Sequence, residues 1–171
     1  LCGRNFEYMS EDPYLAGEQT APMIRGIQEA DVAACVKHFA VNNQETERLY
    51  VEAELSDRAL RELYLPAFEK AVKEGKSYTL MGAYNKIKGE HCCESQFLLD
   101  EILRGEWGYD GVVISDWGAV HNTEKAAACS LDVEMSVTND FGQYKMADPL
   151  LAAAKEGRIR EEQIDEKVKR V

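Results

Sequence analysis

The sequence has little positive charge: 20 Lys and Arg residues stand against 31 Asp and Glu residues, and the formal net charge is −11. A nucleic-acid-binding surface needs clustered cations to neutralise phosphates, and binding to an anionic membrane surface needs a similar cluster. The sequence also lacks any apolar run near the roughly 20 residues that a membrane-spanning helix requires. These absences argue against nucleic-acid and membrane partners.

Several functional motifs are missing as well. There is no Gly-rich dinucleotide fingerprint and no phosphate-binding Walker pattern, so nucleotide binding has no support. The cysteines form no Cys-x-x-Cys pair, and the adjacent residues His91, Cys92 and Cys93 would alternate between faces of an extended segment. We therefore expect no cofactor, no metal, buried thiols at Cys35 and Cys129, and a cytoplasmic location.

The chain alternates short apolar runs with amphipathic stretches. Strands are predicted over residues 32–37, 78–83, 112–115 and 131–135. Helices are predicted near residues 13–28, 56–75, 95–103, 120–129, 146–156 and 161–171, with a break at Pro66. Strand and helix in alternation favour parallel strands with right-handed crossovers. A closed β/α barrel needs eight strands and about 250 residues. Residues 1–171 are therefore predicted to form one α/β domain, a partial (β/α) barrel with C-terminal helices or a small open sheet.

Asp116 is the most informative candidate residue. It follows the run Val112–Ser115, which is typical of a strand buried on both faces. A carboxylate at the end of such a strand lies on the edge where β/α barrels carry their active sites. The alternative interpretation is that Asp116 caps the N-terminus of the next helix.

Other chemically useful side chains follow the neighbouring predicted strands or lie in loops beside them. The carboxyl ends of parallel strands meet at one edge, so we expect these side chains to surround one opening with Asp116. The candidates are Arg4, Lys37, His38, Arg48, Tyr84 and Trp117. Each has a plainer interpretation: a solvated surface pair for Lys37 and His38, an exposed ion pair for Arg48, and a core position for Tyr84.

Taken in order, five stretches resemble signatures of glycoside hydrolase family 3. They are Gly3–Pro13, Lys37–Phe39 with Asn42, Asn43, Glu45 and Arg48, Met81–Asn85, Val113–Trp117, and Gly157–Ile159 through Val168–Val171. The resemblance covers essentially the whole chain, and the combination is more specific than any single piece. It implies that the chain is a fragment of that family's first domain, a barrel or a partly collapsed barrel.

The resemblance also implies roles for the candidate residues. Asp116 would be the nucleophile of a retaining glycosidase, and Arg4, Lys37, His38, Arg48 and Tyr84 would hold the sugar in the first subsite. The chemistry agrees, because charged donors make the stronger hydrogen bonds to hydroxyl groups and nearby cations favour an ionised carboxylate. Trp117 would offer an apolar face to the C–H groups of the sugar.

The sequence after Phe39 favours one branch of the family. Ala40–Asn43 stands where hexosaminidase-type members carry Pro-Gly, which indicates the β-glucosidase or β-xylosidase type. Its acid/base Glu comes from a second domain, and the chain contains no such domain, so we expect the isolated chain to be inactive. The expected substrate is a β-linked glycoside or oligosaccharide, and unpaired strand edges would invite homo-oligomers.

Two other functions remain open at this point. Lys37 could form a Schiff base in an aldolase-like barrel. The chain could also be a non-catalytic carbohydrate-binding or structural fragment.

Overall fold

The computed structural model describes residues 3–171 as an open parallel sheet with helices on its flanks. The strands are β1 (Cys35–Phe39), β2 (Thr79–Gly82), β3 (Lys86–Ile87), β4 (Glu90–His91) and β5 (Val112–Ile114). The α-helices are α1 (Pro13–Glu29), α2 (Asp57–Ala59), α3 (Pro66–Lys73), α4 (Thr123–Ala128), α5 (Asp148–Lys155) and α6 (Glu161–Arg170). Two π-helical segments span Leu60–Tyr64 and Phe97–Glu106, and two 3-10 turns span Asn5–Glu7 and Cys92–Glu94. None of the described helices combines the length and apolar character needed to cross a membrane.

The main sheet has the parallel order β1-β2-β5, as predicted from the alternation of strands and helices. Cys35 lies opposite Thr79, and Thr79 lies opposite Val112, so the three strands begin at one level and end at one edge. The predicted fourth strand is reduced to a parallel bridge between Ile114 and Val133.

The strand β1 differs from its predicted position, because it covers Cys35–Phe39 and not residues 32–37. Lys37 and His38 therefore lie inside the strand, where the pairing with β2 shifts register between Val36 and Phe39. Such irregularities change the direction of side chains.

The core lies between the sheet and the π-helical segment Phe97–Glu106. Phe39, Leu80 and Val113, one from each strand of the sheet, are fully buried. The indole of Trp107 belongs to this core and packs edge-on against the Phe39 ring, with 5.8 Å between the ring centroids.

The predicted helix over residues 56–75 is divided as the proline indicated. The Ser56 hydroxyl accepts a hydrogen bond from the Ala59 N–H and caps α2. Pro66 has no N–H to continue the helical hydrogen bonds, and α3 begins there after a π-helical turn.

The burial prediction for Cys35 is wrong, because Cys35 is exposed at the start of the edge strand β1. Met23 in α1 is also exposed, at 51%. A groove of about 800 Å³ runs along this side of the molecule between α1, β1 and α3. The short antiparallel hairpin β3–β4 was not predicted, since its two-residue strands are too short to show a period.

A buried ionic network fixes β5 to the elements behind it. The fully buried carboxylate of Asp132 accepts hydrogen bonds from Arg104 Nη2 at 2.9 Å, from Arg170 Nε at 2.7 Å and from the Val113 N–H at 2.8 Å. It thereby connects the strand that precedes Asp116 with α6 and the π-helical segment. A buried charge with several partners is costly to disturb on one side only.

We expect Asp132→Ala to lower the free energy of unfolding of the chain by about 3–5 kcal/mol, because it removes the shared carboxylate of two partly buried cations and the acceptor of the Val113 N–H. Urea unfolding followed by circular dichroism measures this loss. The control Asp165→Ala alters an exposed residue of α6 and should change stability by about 0.5 kcal/mol or less. Equal effects of the two substitutions would contradict the role assigned to the network.

Candidate active site

Asp116 lies just beyond the carboxyl end of β5 and is 7% exposed. Its Oδ1 accepts a hydrogen bond from the Trp117 N–H at 2.8 Å, and its Oδ2 lies 3.3 Å from His38 Nε2. The helix that follows, α4, begins at Thr123 and is capped by the side chain of Asn122. The interpretation of Asp116 as a helix cap is therefore wrong, and its carboxylate faces the other strand ends.

His38 brings the end of β1 to this carboxylate. Its side chain is buried, and burial is the largest cause that lowers the pKa of the imidazole. The negative charge of Asp116 acts in the opposite direction and is weaker. The neutral imidazole is thus favoured, so Asp116 contacts a polar ring without being neutralised by a cation.

Tyr84 brings the end of β2 to the same place. Burial, followed by the charge of Asp116 and a hydrogen bond to it, raises the pKa of the phenol to about 12. The phenol therefore stays protonated and donates to Asp116. The Arg48 guanidinium lies over the Tyr84 ring, 5.0 Å from its centroid, and also pairs with Glu45 at 3.4 Å.

The side chains of Arg4 and Lys37 both bind Glu7, a residue that is not among the sequence candidates. The Glu7 carboxylate accepts two hydrogen bonds from Arg4, at 2.6 and 2.9 Å, and one from Lys37 Nζ at 2.9 Å. These bonds, led by those from Arg4, lower the pKa of Glu7 to about 2. The Lys37 amine was expected at the opening beside Asp116, and the structure instead directs it to Glu7.

A signal for Glu7 was present in the sequence. Glu7 stands three residues after Arg4, and positions i and i+3 of a 3-10 turn lie on the same side. Glu7 is not among the candidate residues because it stands within the Gly3–Pro13 stretch, where only Arg4 follows from the resemblance. His38 connects the Glu7 group to Asp116, since its pKa is influenced by Arg4, Lys37, Glu7 and Asp116 together.

Trp117 is 54% exposed and stands at the rim of the cluster. The structure thus brings all seven candidates to one edge of the sheet: Asp116, His38 and Tyr84 in direct contact, Arg48 on the Tyr84 ring, Arg4 and Lys37 on Glu7, and Trp117 next to Asp116. No group of three or more metal-ligating side chains occurs among residues 3–171.

The ion pairs of Glu7 predict a pH-dependent contribution to stability. Because folding lowers the pKa of Glu7 from 4.5 to about 2, its ionised form stabilises the fold fully above pH 4.5, and this contribution is lost as the pH falls toward 2. Glu7→Gln should therefore lower the urea midpoint most at pH 7 and progressively less at acid pH. Glu11→Gln, a nearby exposed site, is the control. A difference that stays constant from pH 7 to low pH would refute this account.

The sequence and the fold both match known glycosidases. The profile described as the glycosyl hydrolase family 3 N terminal domain matches residues 2–171. The chain is 51% identical to a beta-glucosidase of Bacteroides ovatus, covering 100% of the chain and 24% of that protein. It is 47% identical to an exo-alpha-(1->6)-L-arabinopyranosidase of Bifidobacterium longum, covering 96% of the chain and 22% of that protein.

A solved structure agrees with these relatives. Beta-glucosidase 3B from Thermotoga neapolitana, in complex with alpha-D-glucose, superposes with a TM-score of 0.94 at 43% identity, covering 100% of the chain and 24% of that protein. The chain therefore spans about a quarter of the length of the proteins it matches. With the ordered strand ends and their side chains, these similarities show that the chain belongs to glycoside hydrolase family 3 and corresponds to part of its N-terminal barrel domain.

Proposed function

We propose that the full-length protein carrying this chain hydrolyses β-glycosidic bonds with retention of configuration, and that Asp116 is its nucleophile. The observation that carries the proposal is the contact of one nearly buried carboxylate with His38 and Tyr84 at the shared edge of three parallel strands. The named beta-glucosidases among the relatives support the type of reaction.

In this reaction an Asp116 oxygen forms a bond to the anomeric carbon of the sugar. The bond from that carbon to the leaving oxygen breaks, and an acid transfers a proton to the leaving oxygen. Water, deprotonated by the same group, then attacks the anomeric carbon and releases Asp116. Tyr84 and the neutral His38 orient the carboxylate before the attack, which reduces the cost of reaching the transition state.

We propose that the proton donor comes from elsewhere in the full-length protein. A retaining enzyme needs a second carboxyl about 5–5.5 Å from the nucleophile, and that group must be protonated at the start. Glu7 is unsuited to this role because Arg4 and Lys37 hold it in the ionised form. We infer that a glutamate of another domain supplies the proton.

The sugar hydroxyls would be held by the cations around the opening. Arg4 and Lys37 are oriented by Glu7, and Arg48 is oriented by the Tyr84 ring and Glu45. Charged donors fixed in this way lose little side-chain freedom when a sugar binds. The exposed indole of Trp117 offers a flat face to the C–H groups of the ring.

The alternative use of Lys37 as a Schiff-base lysine finds no support in the geometry. Imine formation needs the neutral amine, whereas Lys37 donates to the Glu7 carboxylate at 2.9 Å in an ion pair that requires the charged ammonium.

We expect Asp116→Asn to reduce kcat of the full-length enzyme at least about a thousandfold, because the covalent intermediate cannot form. A 2-deoxy-2-fluoroglycoside should attach to Asp116 in the unaltered enzyme, as read by peptide mass spectrometry. Asp110→Asn, at an exposed position close in sequence, is the matched control and should retain activity. Label on any other residue would overturn the assignment.

The assay should include both aryl β-glucosides and an aryl α-L-arabinopyranoside.

We expect the isolated 171-residue chain to show kcat/KM at least about a hundredfold below that of the full-length protein, since general acid catalysis contributes that much or more. An alkyl β-glucoside, whose alkoxide leaving group needs the proton, assayed with equal concentrations of the two proteins, measures the ratio. Comparable activity would show that the proton donor lies within the chain. Calorimetry with glucose would show whether the isolated chain retains sugar binding.

A further inference from the structure

His91 contacts the backbone of the loop that carries Tyr84. The residue ends β4, and its Nδ1 lies 3.0 Å from the Tyr84 carbonyl oxygen. A carbonyl oxygen only accepts hydrogen bonds, so Nδ1 carries the proton and donates it. The hairpin β3–β4 is thus bonded to the loop that directs the phenol toward Asp116.

His121 lies on the other loop of the site, five residues after Asp116. Its ring stacks on the His91 ring with 3.9 Å between the centroids and 29° between the planes. The backbone N–H groups of His121 and Asn122 donate to Glu94 Oε1, at 2.5 and 2.6 Å. The short segment His91–Glu94 therefore contacts the loop after β2 and the loop after β5.

We propose that His91 and His121 are positioning residues of the candidate active site: their stacked rings hold the Tyr84 loop against the Asp116 loop, and a positive charge on the His121 ring at acid pH loosens this hold. The inference rests on the proposed function, because it concerns the same carboxylate and phenol. Neither histidine needs to contact the sugar for this role.

The surroundings of His121 disfavour a charge on its ring. His121 is exposed as a residue, yet partial burial of its ring is the largest cause that lowers its pKa, and the neighbouring His91 lowers it further. The other charged groups that act on His121 are Glu94, which opposes the shift, and Lys86 and Lys145, which add to it. The Tyr50 ring also faces His121, with 6.2 Å between the ring centroids. On the hairpin, Glu90 beside His91 is paired with Lys125 at 3.1 Å. A charge on His121 requires hydration that the stacked ring restricts, so acidification acts directly on the contact.

A first experiment removes the ionisable group but keeps a flat ring. In the full-length enzyme, His121→Phe should move the acid limb of kcat to lower pH by about half a unit, because the stack then survives acidification. If His121 acted only through its charge on Asp116, removing that charge would move the acid limb to higher pH. An unchanged limb or a shift to higher pH would overturn the inference.

A second experiment tests the hydrogen bond to Tyr84. The Asn amide nitrogen can occupy the place of the His Nδ1 and donate to the same carbonyl, whereas Ala cannot. His91→Ala should reduce kcat about fivefold with a smaller change in KM, the cost of one hydrogen bond, and His91→Asn should restore most of the loss. Equal losses in the two variants would reduce His91 to a packing residue and overturn its positioning role.

The melting temperature of each variant at pH 7.5 shows that it is folded before its kinetics are compared. The failures of the two proposals are also distinguishable. An enzyme that is active through Asp116 but has the same pH profile with and without His121 refutes the histidine inference alone. A protein without glycosidase activity, or one labelled elsewhere than Asp116, refutes the proposed function itself.

Discussion

The parallel hydrogen bonds between β1, β2 and β5 place His38, Tyr84 and Asp116 in one cluster. Residues more than thirty positions apart in sequence thereby come into contact, and strand pairing holds them there. The buried Asp132 network supports this arrangement from behind, since it bonds the Val113 N–H two residues into the strand that ends before Asp116. The rigidity of the site therefore depends on the strand pairing and on the hydrogen bonds of Asp132.

Within that frame, charge compensation decides what each polar group can do. Glu7 holds Arg4 and Lys37 and is kept ionised by them, which prevents it from serving as an acid. Burial keeps His38 neutral and Tyr84 protonated, so both surround Asp116 without pairing it with a cation. The two carboxylates at this edge thus differ in their surroundings: Glu7 is paired with two cations, whereas Asp116 contacts neutral groups.

The hairpin β3–β4 and the segment Cys92–Glu94 connect the loop after β2 to the loop after β5 a second time, in addition to the strand pairing. The strands hold the ends of the loops, whereas His91 and Glu94 hold the loops themselves, through the Tyr84 carbonyl and the backbone of residues 121 and 122. Loop contacts of this kind are weaker than strand pairing, so this second connection is the part of the site that a substitution can alter most easily without disturbing the sheet.

The amino-acid sequence alone determined the α/β class, the strands near residues 79–82 and 112–114, the break at Pro66 and the seven candidate residues, because periodicity, proline chemistry and short motifs are local properties. It misjudged Cys35 and overlooked Glu7, the hairpin and the histidine stack. Only the tertiary structure decided that Asp116 contacts His38 and Tyr84 while Lys37 turns to Glu7. Such choices depend on distances between segments remote in sequence and on how deeply each charge is buried, and neither quantity is a property of a local stretch of chain.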